Sequence, residues 1–590
     1  MYPNDRFARV GVLFLLSISS LVACKKNTGA IGGGGGGGTN NPPPDTSTVI
    51  LPPVDPPVAA TMGFFLNDWQ GKTYTAPGSI SGTPPTGAAT DALTIDLSKV
   101  LTKVPRYMYG NNSNLWMGQI VTQTSLMGYI KDLSPNIIRA PAGSVSDIYF
   151  WNGVSTAPAD APANIYNSSG AVAPAGYWYG GNTGDWTLAL PNYYTLLAQT
   201  NSTGIITVNY GYARYGTGAD PVAAAAHLAA DWVRYDNGRT KYWEIGNETY
   251  GNWEAGYQID PALNKDGQPA IITGDLYGRH VKVFADSMRA AAASTGATIY
   301  IGASLVDAPP YQGAYSTLVT WNQGVLSQAG SIVDYFIVHD YFTDYNTNST
   351  AAAILGTGAS VPANAMTYLK QQIGQYGSGM KPIALSEWNI QAVGSKQNVS
   401  YIAGLHAAKA LGAIIKNNFG EASRWDLANA WDNGNDQGLF NFGDEPGAPQ
   451  WNPRPAFYYL YYFQKSFGDR MVWDSLSNAA SSDLSTYSSS FSSGQAGTLI
   501  VNSGGSNHIV SVKFRNFAAG SQYYWYVLTG GTDNGDFSGK VYVNGTGPSG
   551  ATGGPLNYGA LKAYVAPMTG TTLTIGVPPR SAVYLVAEKK

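Results

Sequence analysis

The sequence predicts a (β/α)8 barrel joined to a β-sandwich, and three observations carry that prediction. Short apolar runs alternate with helix-period segments from Tyr107 to about residue 470. Eight such runs occur, each followed by a helical pattern. Beyond about residue 471 the helical period vanishes, and strand-like alternation is broken by turn clusters such as TGGTDNGDFSG.

Taken in order, the chain opens on Arg6 and Arg9 followed by the run VGVLFLLSISSLVA, which ends at Cys24, the only cysteine. The run suits a signal-peptide core and falls short of the roughly 20 residues that span a bilayer. LVAC resembles the lipobox of a bacterial lipoprotein, which implies lipidation at Cys24 and membrane attachment through that anchor. With no other cysteine, intramolecular disulfides and thiolate metal sites are excluded. Residues 25–60, with seven consecutive glycines and repeated prolines, read as a flexible tether.

Residues 61–106, from TMGFFLNDW to ALTIDLSKV, read as short strands, too few to fold alone and expected to join the sandwich. Barrel strands are expected near RYMYGNN, NIIRAPAG, GIITVNYG, KYWEIGNE, TIYIGAS, VDYFIVHDY, PIALSEWN and RWDLANAW. Helical patterns between them include DPVAAAAHLAADWVRY, DLYGRHVKVFADSMRAAAAS and YIAGLHAAKALGAIIKNN, with PAFYYLYYFQKSF after the last. A doubly wound sheet is the alternative, but no G-x-G-x-x-G follows an early strand. The barrel is assigned to 107–470 and the sandwich to 471–590, braced against the barrel.

Composition narrows the partners. The 590 residues carry a formal charge of -3 and only 12% charged residues, with no long basic run, which gives no footprint for nucleic acid. The 40 Tyr and 15 Trp either fill a large core or suit a sugar ligand, because aromatic faces pack against the C–H faces of sugars. No signal for oligomeric state is present.

Two glutamates stand where barrel chemistry belongs. Glu248 ends strand four and Glu387 lies at the end of strand seven, so both face the rim that carries barrel active sites. Trp243, Ile245, Trp388 and Ile390 give them an apolar setting that perturbs a carboxylate. Glycosidic bond cleavage needs two such carboxyl groups, about 5–5.5 Å apart in the retaining route.

KYWEIGNETYGNWE and ALSEWN resemble the acid/base and nucleophile segments of glycoside hydrolase clan A, especially the α-L-arabinofuranosidases of family 51 and the related family 39. IIRAPAGSVSDIYFW is similar to the second-strand stretch of family 51, with Ala142 in place of a glycine, and VHDY resembles the sixth-strand His-x-Tyr. The resemblance spans roughly residues 105–470. It implies that Glu248 is the general acid/base and Glu387 the nucleophile, that Asn247 bonds the sugar 2-hydroxyl, and that Arg139 and Tyr341 orient Glu387. It also implies substrate contact for His339 and a sugar platform at Trp431. Asn209, at the end of strand three, is expected either to contact substrate or to cap the following turn.

No cofactor and no metal are expected: five scattered His lack paired spacing, and DNGNDQG and GTDNGD lack a full calcium loop. G-x-S-x-G is absent. The stretch from Gly153 to Trp186 is expected to wall the cleft, with Trp178, Tyr179 and Trp186 either stacking on sugars or clamping the loop. The resemblance implies a polysaccharide or oligosaccharide substrate, first an α-L-arabinofuranosyl linkage of plant cell-wall polysaccharide. An endo-β-glycanase on xylan, glucan or algal galactan is the enzymatic alternative, and a non-catalytic surface glycan-binding lipoprotein the other. Export to the outer membrane or surface of a bacterium is the expected location.

Overall fold

A computed structural model of the chain describes residues 49–434, 437–477, 483–531 and 537–590. Cys24 and the apolar run before it lie outside the described residues.

Eight parallel strands close into a barrel in chain order. They are β1 (Gly110–Asn112), β2 (Ile137–Ala140), β3 (Thr203–Val208), β4 (Tyr242–Ile245), β5 (Tyr300–Ser304), β6 (Tyr335–Tyr341), β7 (Ile383–Asn389) and β8 (Glu421–Arg424). Each is followed by a helix: α1 (Thr124–Leu133), α2 (Leu190–Thr200), α3 (Pro221–Asp236), α4 (Gly274–Thr295), α5 (Ser316–Ala329), α6 (Ala351–Tyr376), α7 (Tyr401–Lys416) and α8 (Pro455–Ser466). Local chemistry sets the helix ends. Asp220 accepts from the Ala223 N–H at the start of α3, with Pro221 as first residue, and Gly296 closes α4 in the left-handed conformation.

Two sequence expectations shift. Of RYMYGNN only the last three residues are strand, because Arg106–Met108 forms a 3₁₀ turn. The eighth strand is EASR, upstream of the expected RWDLANAW. All four of its residues are buried, yet three are polar, Glu421 and Ser423 on the inner face and Arg424 on the outer face beside Leu133, Leu411 and Leu460, so an apolar-run criterion passes over them. The chain leaves the barrel sheet after Arg424, and Ala428–Asn429 pairs instead with Phe440–Asn441.

The segment TMGFFLNDW is not a strand either. Gly63–Leu66 is a 3₁₀ turn that plugs the N-terminal end of the barrel: Phe65 is fully buried among Tyr107, Tyr242 and Tyr335, and Phe64 stacks on Tyr300 at 3.9 Å. Further along the chain, Asp91–Lys103 enters the second domain. It runs antiparallel to Arg470–Ser477 and parallel to His508–Arg515, in the interior of an eleven-stranded sheet. That sheet curls into a sandwich around Leu93, Ile95, Val512, Trp525, Val583 and Leu585.

Barrel and sandwich share one apolar core through α8. Tyr459 and Tyr462 sit in the same buried cluster as Tyr487, Leu499, Tyr558 and Tyr584. The Tyr584 hydroxyl donates to the Tyr459 carbonyl at 2.7 Å.

Candidate active site

At the C-terminal end of the barrel lies a cavity of about 580 Å³, within the size range of small-molecule sites. Glu248 and Glu387 both line it. How the backbone delivers them follows from local sequence. After β4 the chain turns at Gly246 (φ +74°), where a Cβ would come within 2.8 Å of Tyr210, so glycine is required. Glu248 follows at φ +40°, a conformation that a non-glycine residue adopts only when its surroundings impose it. Glu387 sits between two register shifts, one in the β6–β7 pairing at Val338/His339 and one in the β7–β8 pairing between Leu385 and Trp388. Such irregularities re-aim side chains beside active sites.

The two carboxylates are held differently. Arg139, fully buried on β2, donates from Nη1 to Glu387 Oε2 at 3.2 Å, and the Tyr341 hydroxyl donates to Glu387 Oε1. Burial raises the Tyr341 pKa well above the usual phenol, and the Glu387 carboxylate adds to the effect, so the hydroxyl keeps its proton and remains a donor. Glu248 Oε2 accepts from the neutral indole N–H of Trp253 at 2.9 Å. His339 stands between them, with Nδ1 3.4 Å from Glu248 Oε1 and 3.6 Å from Glu387 Oε2, while its Nε2 lies 3.2 Å from the Ser386 hydroxyl. A carboxylate oxygen of each glutamate and a ring nitrogen of His339 all lie within 4.8 Å of one another.

Arg139 organises the floor. Its Nε donates to Glu244 Oε2 at 2.6 Å, Nη1 also to Asn112 Oδ1 at 3.1 Å, and Nη2 to Asn247 Oδ1 at 2.9 Å. Burial opposes its charge, but the carboxylates of Glu244 and Glu387 outweigh that and raise its pKa. Asn247 is fixed from the other side, donating from Nδ2 to Glu254 Oε1 at 3.0 Å and from its backbone N–H to Asp147 Oδ2 at 3.2 Å. Burial pushes the Asp147 carboxyl up to about 7. Glu254 is also raised, by burial first and then by the negative charge of Asp147 and Glu248.

Of the residues singled out from sequence, Arg139, Asn247, Glu248, His339, Tyr341 and Glu387 converge here. Two do not. Asn209 caps the short helix Gly211–Tyr215: its Oδ1 accepts from the Tyr212 N–H at 2.9 Å and its Nδ2 donates to the Tyr149 carbonyl, away from the cavity lining. Trp431 lies outside the lining with the Arg454 guanidinium 5.5 Å from its ring. The tryptophan at the end of strand eight that lines the cavity is Trp425, because the strand ends at Arg424, earlier than its apolar pattern suggests. Trp425 precedes a cis peptide bond to Asp426 and rests against Gly143, where a Cβ would come within 2.7 Å of its ring.

Asn112, Asp147, Glu244, Trp253 and Glu254 escaped sequence reading. Trp253 and Glu254 stand in the WE pair just after the Asn-Glu signature, and Glu244 lies inside β4 in KYWEIG. A charged residue within an otherwise apolar strand was the available signal for Glu244. The donor set of Glu248, His339 and Glu387 is compact enough for a divalent cation. Arg139 and Tyr341, however, already engage both oxygens of Glu387, which favours an oriented carboxylate over a metal ligand.

No family model and no curated protein matches the chain. Solved structures do. The family 51 α-L-arabinofuranosidase of Thermotoga petrophila RKU-1 is 17% identical with a TM-score of 0.57, over 84% of this chain and 100% of that one. A bifunctional glucanase-xylanase from a metagenome library is 13% identical with a TM-score of 0.56, over 85% and 100%. The family 44 xyloglucanase of Paenibacillus polymyxa is 13% identical with a TM-score of 0.55, again over 85% and 100%. The fold is that of these clan A glycoside hydrolases, barrel and sheet domain together.

Proposed function

We propose that the protein is a retaining glycoside hydrolase, with Glu387 as nucleophile and Glu248 as general acid/base. One observation carries the reading: two buried carboxylates at the ends of β4 and β7 approach within 4.8 Å, and they differ in their partners. That spacing is the one in which a carboxylate can attack the anomeric carbon with no water in between. Arg139 and Tyr341 each donate to one oxygen of Glu387 and hold the carboxylate aimed. Glu248, met by an indole N–H and by the negative charge of its neighbour, takes the role of proton donor.

The steps then balance. Glu387 attacks the anomeric carbon as Glu248 protonates the departing glycosidic oxygen, leaving a glycosyl ester and a Glu248 carboxylate. Glu248 next takes a proton from water, which attacks the ester and restores both groups. Asn247 uses its Oδ1 on Arg139 and one amide hydrogen on Glu254, so its second amide hydrogen serves the sugar 2-hydroxyl.

For substrate, the first reading is an α-L-arabinofuranosyl linkage of plant cell-wall polysaccharide, supported by the resemblance of the segments around Arg139, Glu248 and Glu387 to those of family 51. An endo-β-glycanase is the second, and the tryptophan-lined wall of the cavity favours it. A glycan-binding protein without turnover would need neither the oriented Glu387 nor its paired Glu248. Attachment to a bacterial outer membrane or cell surface through Cys24 rests on the N-terminal sequence.

The test is hydrolysis of a panel of aryl glycosides and plant or algal polysaccharides by the chain from residue 58 onward, with Glu387→Ala as control. Arabinose or aryl release that disappears in the control supports the first reading. Oligosaccharides from a polymer with no action on the aryl arabinofuranoside select the second, and turnover that survives Glu387→Ala refutes the assignment.

A further inference from the structure

Four tryptophans form a continuous line from the catalytic floor to solvent. Ring centroids of Trp425 and Trp116 lie 6.2 Å apart, those of Trp116 and Trp178 6.4 Å, and those of Trp178 and Trp186 5.3 Å. Exposure rises along it. Trp425 is 7% exposed, Trp116 and Trp178 are half-buried, and Trp186 is 54% exposed, more than any other tryptophan among the described residues.

The line is held rigidly. The Trp116 indole N–H donates to Asn429 Oδ1 at 3.0 Å, which fixes its ring in the cavity wall. Trp178 belongs to a two-stranded pairing of Trp178–Tyr179 with Tyr149–Phe150, which ties the long loop back to the barrel. Tyr179, next to it, does the clamping: its ring covers Gly153, where a Cβ would come within 2.8 Å. Trp186 has no such duty that would bury it. Leaving a large apolar ring in water is unfavourable, so an exposed indole continuous with a ligand cavity marks a surface that a ligand covers.

The chemistry of the wall selects the ligand. Among the described residues that line the cavity there is no Lys or Arg, while Asn167, Gln391, Asn429 and Gln437 supply neutral amides. Aromatic faces interspersed with amides suit an uncharged glycan, whose C–H faces stack and whose hydroxyls bond; a polyanionic chain would need cations.

We propose that Trp116, Trp178 and Trp186 form a track that binds further sugar units of an uncharged polysaccharide, beyond the unit held at Glu248 and Glu387. The substrate is then a polymer segment in place of a small glycoside. This rests on the glycoside hydrolase reading and adds to it the substrate's size and charge.

The experiment compares wild type, Trp186→Ala and Trp186→Tyr in two assays. One is kinetics on a neutral polysaccharide and on an aryl glycoside of the sugar it releases. The other is retardation in native gels containing that polysaccharide. Trp186→Ala should lower kcat/KM on the polymer roughly two- to tenfold more than on the aryl glycoside, mainly through KM, and should reduce retardation. Trp186→Tyr should restore most of both. Equal losses on the two substrates, undiminished retardation, or stronger binding to an acidic polysaccharide overturns the track and leaves the hydrolase reading standing. Retardation that depends on Trp186 without turnover on any substrate supports the track and overturns the hydrolase reading. Absence of both turnover and retardation overturns both.

Discussion

Each oxygen of Glu387 has its own donor, Arg139 on one side and Tyr341 on the other. A hydrogen bond to a charged group contributes about 1.5–3 kcal/mol, so Tyr341→Phe should reduce kcat roughly 10- to 150-fold while the barrel stays folded. Steady-state kinetics with a circular dichroism control reads this directly. The Asp147 carboxyl makes a pH prediction. Its pKa rises from 3.8 to about 7 by burial, against the N–H groups of Asn247, Gly211 and Tyr210 that favour its charge. An acid raised on folding contributes stability that is fully present below its unfolded pKa and is lost as pH climbs through the folded one. The stability advantage of wild type over Asp147→Asn should therefore narrow between about pH 4 and pH 8 in denaturant titrations; an advantage that widens contradicts the assignment. At this scale the sequence was legible where a residue carried a strand-end motif, as Asn247 and Glu248 do. It was opaque where partnership depends on distant segments: nothing near Asp147 in the chain announces that it meets Asn247, 100 positions away.

Elements were legible where their burial is uniform. Strands β2 to β7 are mostly apolar and flanked by helix-period segments, so their positions follow from periodicity. Strand β8 breaks that rule because three of its four buried residues are polar, Glu421 and Ser423 on the inner face and Arg424 on the outer, and placing the strand too far along drew the reading to Trp431, outside the cavity lining that holds Trp425. Gly63–Leu66 was read as strand because a plug and a strand are equally apolar over so few residues. The strand Asp91–Lys103 shows the opposite case, a local pattern read correctly whose partners lie nearly four hundred residues on. Ile95, fully buried there, packs into the sandwich core. Ile95→Ala should cost about 2–5 kcal/mol in chemical denaturation. A loss below 1 kcal/mol (an order-of-magnitude bound for well-exposed sites) would mean that this strand is peripheral.

Across the whole molecule, chain order and function are arranged around the barrel's two ends. The N-terminal segment seals one end with Phe64 and Phe65, the sandwich braces the barrel through the tyrosines of α8, and the loops at the other end build the cavity. Because β4 and β7 belong to one closed sheet, Glu248 and Glu387 sit on a frame that cannot spread without breaking barrel hydrogen bonds. Their separation is therefore a property of the fold, and stereochemistry reports it. The most direct measurement is proton NMR of the first-formed sugar, recorded within the opening minutes of hydrolysis of whichever glycoside the protein cleaves, before the anomers equilibrate. A product with the anomeric configuration of the substrate is the predicted result. An inverted product would contradict nucleophilic attack by Glu387 and with it the central claim.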